Sequence, residues 1–476
     1  MKFEAVIGLE IHAQMSTKTK LFCSCDNDSF GQTPNTNVCP ICMGFPGMLP
    51  VLNKEAVKKG VKAAQALNCE IQHFSKFDRK NYFYPDLPSG YQISQFDEPI
   101  AENGYIEVEK AGDKLKIRIN RLHIENDAGK LSHSKDSTLL DFNRAGTPLM
   151  EIVSEPDIHS AEDARKVAEM IQKILRTTES SDCDMEKGMM RFDASVSIRP
   201  EGEKKLYPRA EIKNLNSFKS LEAAIIYEIA RQKENWTDGG ALEKDQTVGW
   251  DEEAQVTKLL REKESAADYR YFPEPDLPPV QVSDEEINNW KNEIAELPQE
   301  KLERLKKEYE LKDADAAFYS ENPMIADYFE SVVKKSGNIA LSNSFVSTIL
   351  VAHLNEKNSS ISESPISAEH LAKLLKLIDE GVISNTTAKS TVFEAMWETK
   401  KDPEILVEEL GLKQVSDSSF IENICKDALA ANPQSVEDYK AGKKQALGAL
   451  IGYVMKKSEG KANPKMVNDI LLKILL

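Results

Sequence analysis

Residues 3–15, FEAVIGLEIHAQM, alternate apolar and polar side chains with the period of two that marks a β-strand. Side chains two apart on a strand leave the same face, so Glu10 and His12 emerge together. Acids on an inward sheet face are costly unless a cation meets them, so this strand carries a fold signal and a chemical one at once.

Working outward, residues 53–68 (NKEAVKKGVKAAQALN) space Val57, Val61, Ala64 and Leu67 as one face of a helix. Residues 114–130 (KLKIRINRLHIENDAGK) alternate again, with Leu115, Ile117 and Ile119 on one side, Leu122 as a candidate continuation, and a glycine turn at the end. Ser160 is placed to cap a helix over 161–178, whose apolar face is Val167, Met170, Ile171 and Ile174. Residues 191–200 (RFDASVSIRP) and 209–218 (RAEIKNLNSF) read as two more strands, and 219–234 as a helix. Together these elements predict an α+β domain with a mainly antiparallel sheet over residues 1–290.

The proline clusters end with DYRYFPEPDLPPV at 268–280, and the chain beyond about residue 283 reads almost entirely as amphipathic helices. A boundary near 290 and a second near 405 give a helical domain over 291–405 and a last helical module over 406–476. The serine-rich stretch NSSISESPIS at 358–367 reads as an exposed connection between helices.

At 476 residues the chain is long enough for more than one core, and its 41% hydrophobic content can fill them. No apolar run reaches the roughly 18 to 20 residues a spanning helix needs, and Glu4 and Glu10 sit where a signal peptide is apolar. The expectation is a cytoplasmic protein with no membrane partner. A formal net charge of −17 repels phosphate backbones, which excludes a nonspecific DNA coater and confines nucleic-acid contacts to a local basic face. No G-x-x-x-x-G-K-[ST] loop and no strand-linked G-x-G-x-x-G occurs, so any nucleotide site is of another kind.

Residues 21–47 hold Cys23 and Cys25 as C-x-C and Cys39 and Cys42 as C-x-x-C, with PNTN supplying turns between them. In a reducing compartment two such knuckles favour a tetrahedral four-thiolate zinc site, closed and therefore structural, over free thiols or a redox pair. Cys69, Cys183 and Cys425 are scattered and read as core filler.

Further acids fall at Glu125 and Asp127, two apart, and at Glu151, Glu155 and Asp157. With His12 such carboxylates suit Mg²⁺ or Mn²⁺ bridging nucleotide phosphates; solvated surface acids are the alternative. The stretch SKFDRKNYFYPDLPSGYQISQ groups Arg79, Lys80, Tyr82, Tyr84, Tyr91 and Gln95, either a phosphate clamp with a stacking surface or a proline-turn hairpin. Arg191, Arg199, Asn214 and Asn216 are polar strand positions of the same kind. The last 42 residues carry eight lysines against four acids, and Lys440, Lys443, Lys444, Lys456, Lys457 and Lys461 suit either RNA phosphates or a solvated face.

VIGLEIHAQ, FDRKNYFYPDLPSGYQISQ, RLHIENDAGK, DFNRAGTPLMEIVSEPDI, AEIKNLNSF and DYRYFPEPDLPP, in this order, closely resemble the B-subunit family of the aspartyl/glutamyl-tRNA amidotransferases, GatB/GatE. SVEDYKAGKKQALG and GKANPKMVNDIL resemble the YqeY-type module that ends that family, so the resemblance spans essentially the whole chain.

The resemblance implies a glutamine-synthetase-like cradle, a helical domain and a YqeY-type tail. It implies correction of Glu-tRNA(Gln), and also of Asp-tRNA(Asn), by phosphorylating the side-chain carboxylate with ATP and displacing the phosphate with ammonia. Glu10, His12, Glu125 and Glu151 fall where the family binds Mg²⁺, with Glu10 also catalytic. Lys80, Tyr82 and Arg191 fall where it holds nucleotide phosphates or the acyl end of tRNA. Cys23, Cys25, Cys39 and Cys42 match a structural zinc loop of part of the family, and the lysine-rich tail its tRNA-binding module. Asn126 stands where many relatives carry a second glutamate; if that acid ligates metal, one of two Mg²⁺ positions is weakened here.

The chain carries no Ser-Ser-Lys amidase signature, so ammonia must come from elsewhere; the resemblance implies an amidase-type A subunit, in a heterotrimer with a small C subunit. The rival reading is a non-catalytic adaptor that delivers tRNA through the tail. A zinc-dependent nucleic-acid reader is disfavoured, because the cysteine loop from Ser24 to Gly44 has no basic residue.

Overall fold

The computed structural model describes residues 2–110, 113–262, 269–413, 418–440, 443–458, 462 and 464–475. The chain divides into two compact units, Met1–Pro298 and Gln299–Leu476.

In the first unit the elements follow in the order β1 (Phe3–Gln14), α1 (Lys54–Ala66), β2 (Glu70–Ile71), β3 (Phe74–Ser75), β4 (Asp78–Asn81), β5 (Tyr91–Ser94), β6 (Ala101–Lys110), β7 (Asp113–Asn126), β8 (Lys130–His133) and β9 (Thr138–Asp141). There follow β10 (Pro148–Ser154), α2 (Ala161–Thr177), β11 (Met190–Pro200), β12 (Ala210–Leu215), α3 (Phe218–Asp238), β13 (Gln246–Asp251), β14 (Val256–Glu262), β15 (Phe272–Pro273), β16 (Val280–Gln281) and α4 (Asp284–Asn292).

Nine strands form one sheet in the order β14-β13-β12-β11-β1-β10-β7-β6-β2, so the opening strand lies at its centre. Every pairing in it is antiparallel except β12 with β13, whose parallel register needs the crossover that α3 provides. The mixed α+β class with a mainly antiparallel sheet is the one the alternation predicts.

α1, α2 and α3 cover one face of this sheet. The odd residues of β1, Ile7, Leu9, Ile11 and Ala13, point into that core together with Val57 and Val61 of α1 and Val167, Ile171 and Ile174 of α2. Ser160 caps α2 as its sequence suggests, its side chain accepting from the Asp163 N–H at 3.1 Å. The even residues of β1 face the other way, and there the functional side chains gather.

β7 departs from strict alternation. Val153 of β10 faces Arg121 while Ser154 faces Ile119, so Asn120 is an extra residue in a β-bulge. The bulge lets Ile117 and Ile119 before it and Leu122 and Ile124 after it all point into the helix-covered core. His123 and Glu125, which share parity with Ile119, are thereby turned to the opposite face.

In the second unit Tyr319, Phe329, Phe345 and Phe393 are fully buried in one helical core, and Ile421, Cys425, Leu450, Val467 and Leu471 in a separate smaller one. Among the described residues no helix is long and apolar enough to cross a membrane.

Candidate active site

Strand register assembles the site. His12 lies opposite Glu151 on one neighbour and Arg191 on the other; Glu151 lies opposite His123, and Glu10 opposite Asp193. Directly paired residues share a face, so side chains far apart in sequence converge. His12 Nε2 is 3.2 Å from Glu151 Oε2, 3.8 Å from Glu10 and 3.9 Å from Glu125. His123 Nε2 is 3.3 Å from Glu151 and 3.6 Å from Glu125. The Ser94 hydroxyl donates to Glu125 at 3.0 Å.

The charges explain one another. Burial pushes Glu10 up to about 7, with the Glu151 charge adding to the effect. Burial works against the imidazolium at His123, but the charge of Glu151 and the hydrogen bond to Glu125 raise it to about 9. His12 is also raised, against burial, through its bond to Glu151. Burial likewise opposes the Glu125 and Glu151 carboxylates, yet His123 beside both holds Glu125 below and Glu151 well below the usual carboxylate range.

The donor set fits a divalent cation. Glu10, His12 and Glu151 offer three ligand atoms within 4.8 Å of one another, as do His123, Glu125 and Glu151, and Glu10, Asp193 and Glu211. Carboxylate oxygens with imidazole nitrogen suit Mg²⁺ or Mn²⁺. Among the described residues His12 Nδ1 and His123 Nδ1 have no hydrogen-bond partner, and both rings direct Nε2 to the acids.

Lys80 approaches from β4, its ammonium 5.1 Å from the centre of the Tyr269 ring and 6.0 Å from that of Tyr82. Burial opposes its charge, but Glu125 and Glu151 raise its proton affinity. Burial pushes Tyr82 up to about 12. Lys213 approaches from β12, 2.6 Å from Asp193 and 2.5 Å from Glu211. Glu10, His123, Glu151, Glu211, Lys80 and Lys213 line a cavity of about 450 Å³, with Arg121, Tyr269 and Tyr271 in its wall.

The structure separates some residues that sequence spacing groups. Asp127 lies beyond the end of β7 and engages Arg191 at 3.3 Å, Arg144 at 3.4 Å and Gln14 at 3.2 Å, so it is not in the cluster with Glu125. Arg191 reaches the site already paired. Glu155 accepts from Asn120, and Asp157 binds Arg118 at 2.7 Å. Asn126 accepts from the Ile93 N–H at 2.7 Å, which ties β7 to β5. Among the described residues its hydrogen-bond partners are Ile93, Gln92 and Asp127.

Sequence reasoning missed His123, Asp193, Glu211, Lys213, Tyr269 and Tyr271. A signal existed for three of them: Asp193 shares parity with Arg191, and Glu211 and Lys213 are two apart on one strand. His123 had parity with Glu125 but also with the apolar row, a conflict that only the bulge resolves.

The four cysteines lie together. Their sulfurs are all within 4.8 Å of one another and none is in a disulfide. The Cys39 N–H donates to Cys42 Sγ at 3.2 Å, and Lys20 Nζ lies 3.8 Å from that sulfur. The hydrogen bond from Cys23 brings the Cys42 thiol down to about 5, while burial pushes Cys25 up to about 11. Four sulfurs in this compass fit a tetrahedral zinc with no open position. The loop is tied down by the Asn143 side chain, which accepts from the Asn37 N–H at 2.8 Å and donates to Thr33 at 2.7 Å.

In the tail Lys440, Lys443, Lys444, Lys456 and Lys457 are exposed. Lys443 pairs with Asp438 at 3.1 Å and Lys457 with Asp427 at 2.6 Å, while Lys461 lies outside the described residues.

An antiparallel sheet presenting carboxylates, imidazoles and two lysines to one cavity, followed by helical cores, defines a two-part α+β protein with its candidate chemistry in the first part. The profile of the GatB/GatE catalytic domain matches residues 5–288, and that of the GatB domain residues 327–475. The chain is 50% identical to the B subunit of the aspartyl/glutamyl-tRNA(Asn/Gln) amidotransferase of Caldicellulosiruptor bescii, covering 99% of this chain and 98% of that one. It is 50% identical to the protein of that name from Persephonella marina over 100% of both chains. The chain belongs to the GatB/GatE family.

Proposed function

We propose that the chain is the B subunit of a tRNA-dependent amidotransferase and holds its kinase and transamidation site. The reaction converts Glu-tRNA(Gln) to Gln-tRNA(Gln) and Asp-tRNA(Asn) to Asn-tRNA(Asn), the two classes in the relatives' names. The observation that carries the reading is the clustering of Glu10, His12, His123, Glu125 and Glu151, of which Glu10, His123 and Glu151 line the cavity. An adaptor that only delivered tRNA would gain nothing from burying so many ionisable groups against their solvation cost.

A carboxylate is a poor electrophile, so its oxygen must first become part of a leaving group. The γ-phosphoryl group of ATP passes to the side-chain carboxylate of the esterified amino acid, with ADP as leaving group. Ammonia then attacks the acyl carbon, the bond to phosphate breaks, and a proton passes to a nearby base. Glu10, His12, Glu125 and Glu151, with His123 beside them, would hold Mg²⁺, which supplies neutralisation of phosphate charge. Lys80 and Lys213 bring ammonium groups to the cavity from β4 and β12, strands of two different sheets. Tyr82 shields Lys80, and Arg191, opposite His12 in register, sets a fixed positive charge beside it.

Cys23, Cys25, Cys39 and Cys42 would hold a structural Zn²⁺. Lys440, Lys443, Lys444, Lys456, Lys457 and Lys461 would contact tRNA. An amidase-type A subunit and a small C subunit complete a cytoplasmic heterotrimer and supply ammonia.

The test is reconstitution with candidate A and C subunits, ATP, Mg²⁺, glutamine and each mischarged tRNA. Glu10→Ala and Glu151→Ala should abolish ATP-dependent phosphorylation of the acyl group and leave tRNA affinity within about twofold. Unchanged phosphorylation in both variants favours the adaptor.

A further inference from the structure

The four-cysteine loop is served by a cation that lies outside its own span of sequence. Lys20 precedes the first cysteine pair, and its side chain is wholly buried. The backbone beside it turns back on itself: Thr19 bridges to Asp26, and the Lys20 N–H donates to the Cys25 carbonyl at 3.0 Å. From that base the side chain crosses to the second pair, where the ammonium donates to the Asn37 carbonyl at 2.8 Å and to Cys42 Sγ at 3.8 Å. The crossing is close. Gly146, at a φ of +90°, lies against it, and a Cβ there would come within 3.4 Å of Lys20 Cδ and 3.3 Å of Cys42 Cβ.

A buried ammonium is costly without a negative charge beside it. Among the described residues the Lys20 ammonium pairs with no carboxylate, and its acceptors are one neutral carbonyl and one sulfur. Sulfur therefore has to supply the charge, which is what a metal-bound thiolate set does. Four thiolates around one zinc ion carry two negative charges more than the metal neutralises, and a single lysine offsets half of that surplus. The contact also singles out one sulfur. Cys42 Sγ accepts from Lys20 and from the Cys39 N–H at 3.2 Å, and each donor draws on the lone pairs with which a thiolate attacks an electrophile. Cys25, Cys39 and Cys42 are all half-buried, so access alone does not rank them.

We propose that Lys20 is the internal counter-cation of the zinc–thiolate set and makes Cys42 the least reactive of its half-buried sulfurs. Attack by an electrophile then begins at Cys25 or Cys39, and the metal is lost more slowly than from a set without the lysine. The inference rests on the zinc reading given above. Lys20 is a positioning residue, acting on the metal through Cys42.

The experiment treats the zinc-loaded, full-length chain with limiting N-ethylmaleimide. Peptide mass spectrometry reads the order in which the sulfurs are alkylated, and a zinc-binding dye follows release of the metal. In alkylation the sulfur adds to the maleimide double bond, its bond to zinc breaks, and the neighbouring carbon takes a proton from water. In the wild type Cys42 should react after Cys25 and Cys39. Lys20→Met keeps an unbranched side chain without the charge; Cys42 should move ahead of the other two, and zinc release should quicken by about tenfold or more. Lys20→Arg keeps the charge and should keep the wild-type order. The inference is overturned by Cys42 reacting first in the wild type, by an unchanged order in Lys20→Met, or by all four sulfurs speeding up together in both variants, which marks a packing role alone. A freshly purified chain that carries no zinc defeats the zinc reading and the inference with it, whereas a zinc-loaded chain with the wrong order defeats the inference only.

Discussion

The cysteine set and the acid cavity each gather ligating side chains within a few ångströms, but they are built in opposite ways. The four thiols come from one loop, Cys23 to Cys42, and their closeness follows from short spacing and turns. The acid cavity draws on β1, β7, β10, β11 and β12, from Glu10 to Lys213, and its closeness follows from sheet register. A local site tolerates errors elsewhere in the fold. A site made by register depends on every strand that contributes to it.

The sharpest way to break this contrast is to delete Ile124, between His123 and Glu125. On a strand that keeps its bulge Glu125 then takes the inward position that Ile124 held, because a one-residue slip moves every side chain beyond it to the other face. Burying that carboxylate among Ile and Val costs several kcal/mol, on the order of a domain's whole margin. Amide formation should vanish, and urea denaturation should show a strongly destabilised first unit. An active, stable deletion variant would mean that strand register does not assemble the cavity.

Glu151→Gln keeps the shape and removes the central charge. Amide formation should fall by roughly 10²- to 10³-fold, the scale for losing one preorganised electrostatic group. The same change removes the charge that raises His123, so NMR titration should find that imidazole below its wild-type value of about 9. A His123 titration that does not move would sever the link between the two residues.

Cys39→Ser tests the local site. It should release zinc, read by elemental analysis of the freshly purified chain, and lower the melting temperature by about 5 to 10 °C, as loss of a few kcal/mol does in a unit of this size. At low temperature phosphoryl transfer should persist, because the strands keep their register without the loop. Abolished transfer in a folded variant would make the cysteine loop part of the chemistry.

The tail provides a weaker test. Lys440→Glu with Lys456→Glu should raise the KM for aminoacyl-tRNA several-fold at low salt, about 2- to 10-fold, and leave kcat alone, since exposed phosphate contacts act through counterion release. Asn126→Glu should have the smallest effect. The longer side chain can still accept from Ile93, and metal affinity should stay within about twofold of wild type.

The α+β class was legible because alternation in β1, helical spacing in α1 and α2 and the Ser160 cap are local signals. The cysteine proximity was legible for the same reason. The cavity was legible only in part. Glu10 and His12 share a strand, so their common face follows from period two alone. His123 was hidden because its parity placed it with Ile119, and Lys213 because nothing local shows that β12 lies two strands from β1.

By itself the amino-acid sequence determined the repertoire: which segments are strands, which are helices, where thiols cluster, and which ionisable residues exist to be buried. Tertiary structure alone decided which of those residues meet. Parity on a single strand is fixed by backbone geometry. Parity between strands depends on bulges and on which neighbour each strand chooses, and both are settled by packing the apolar face against α1, α2 and α3.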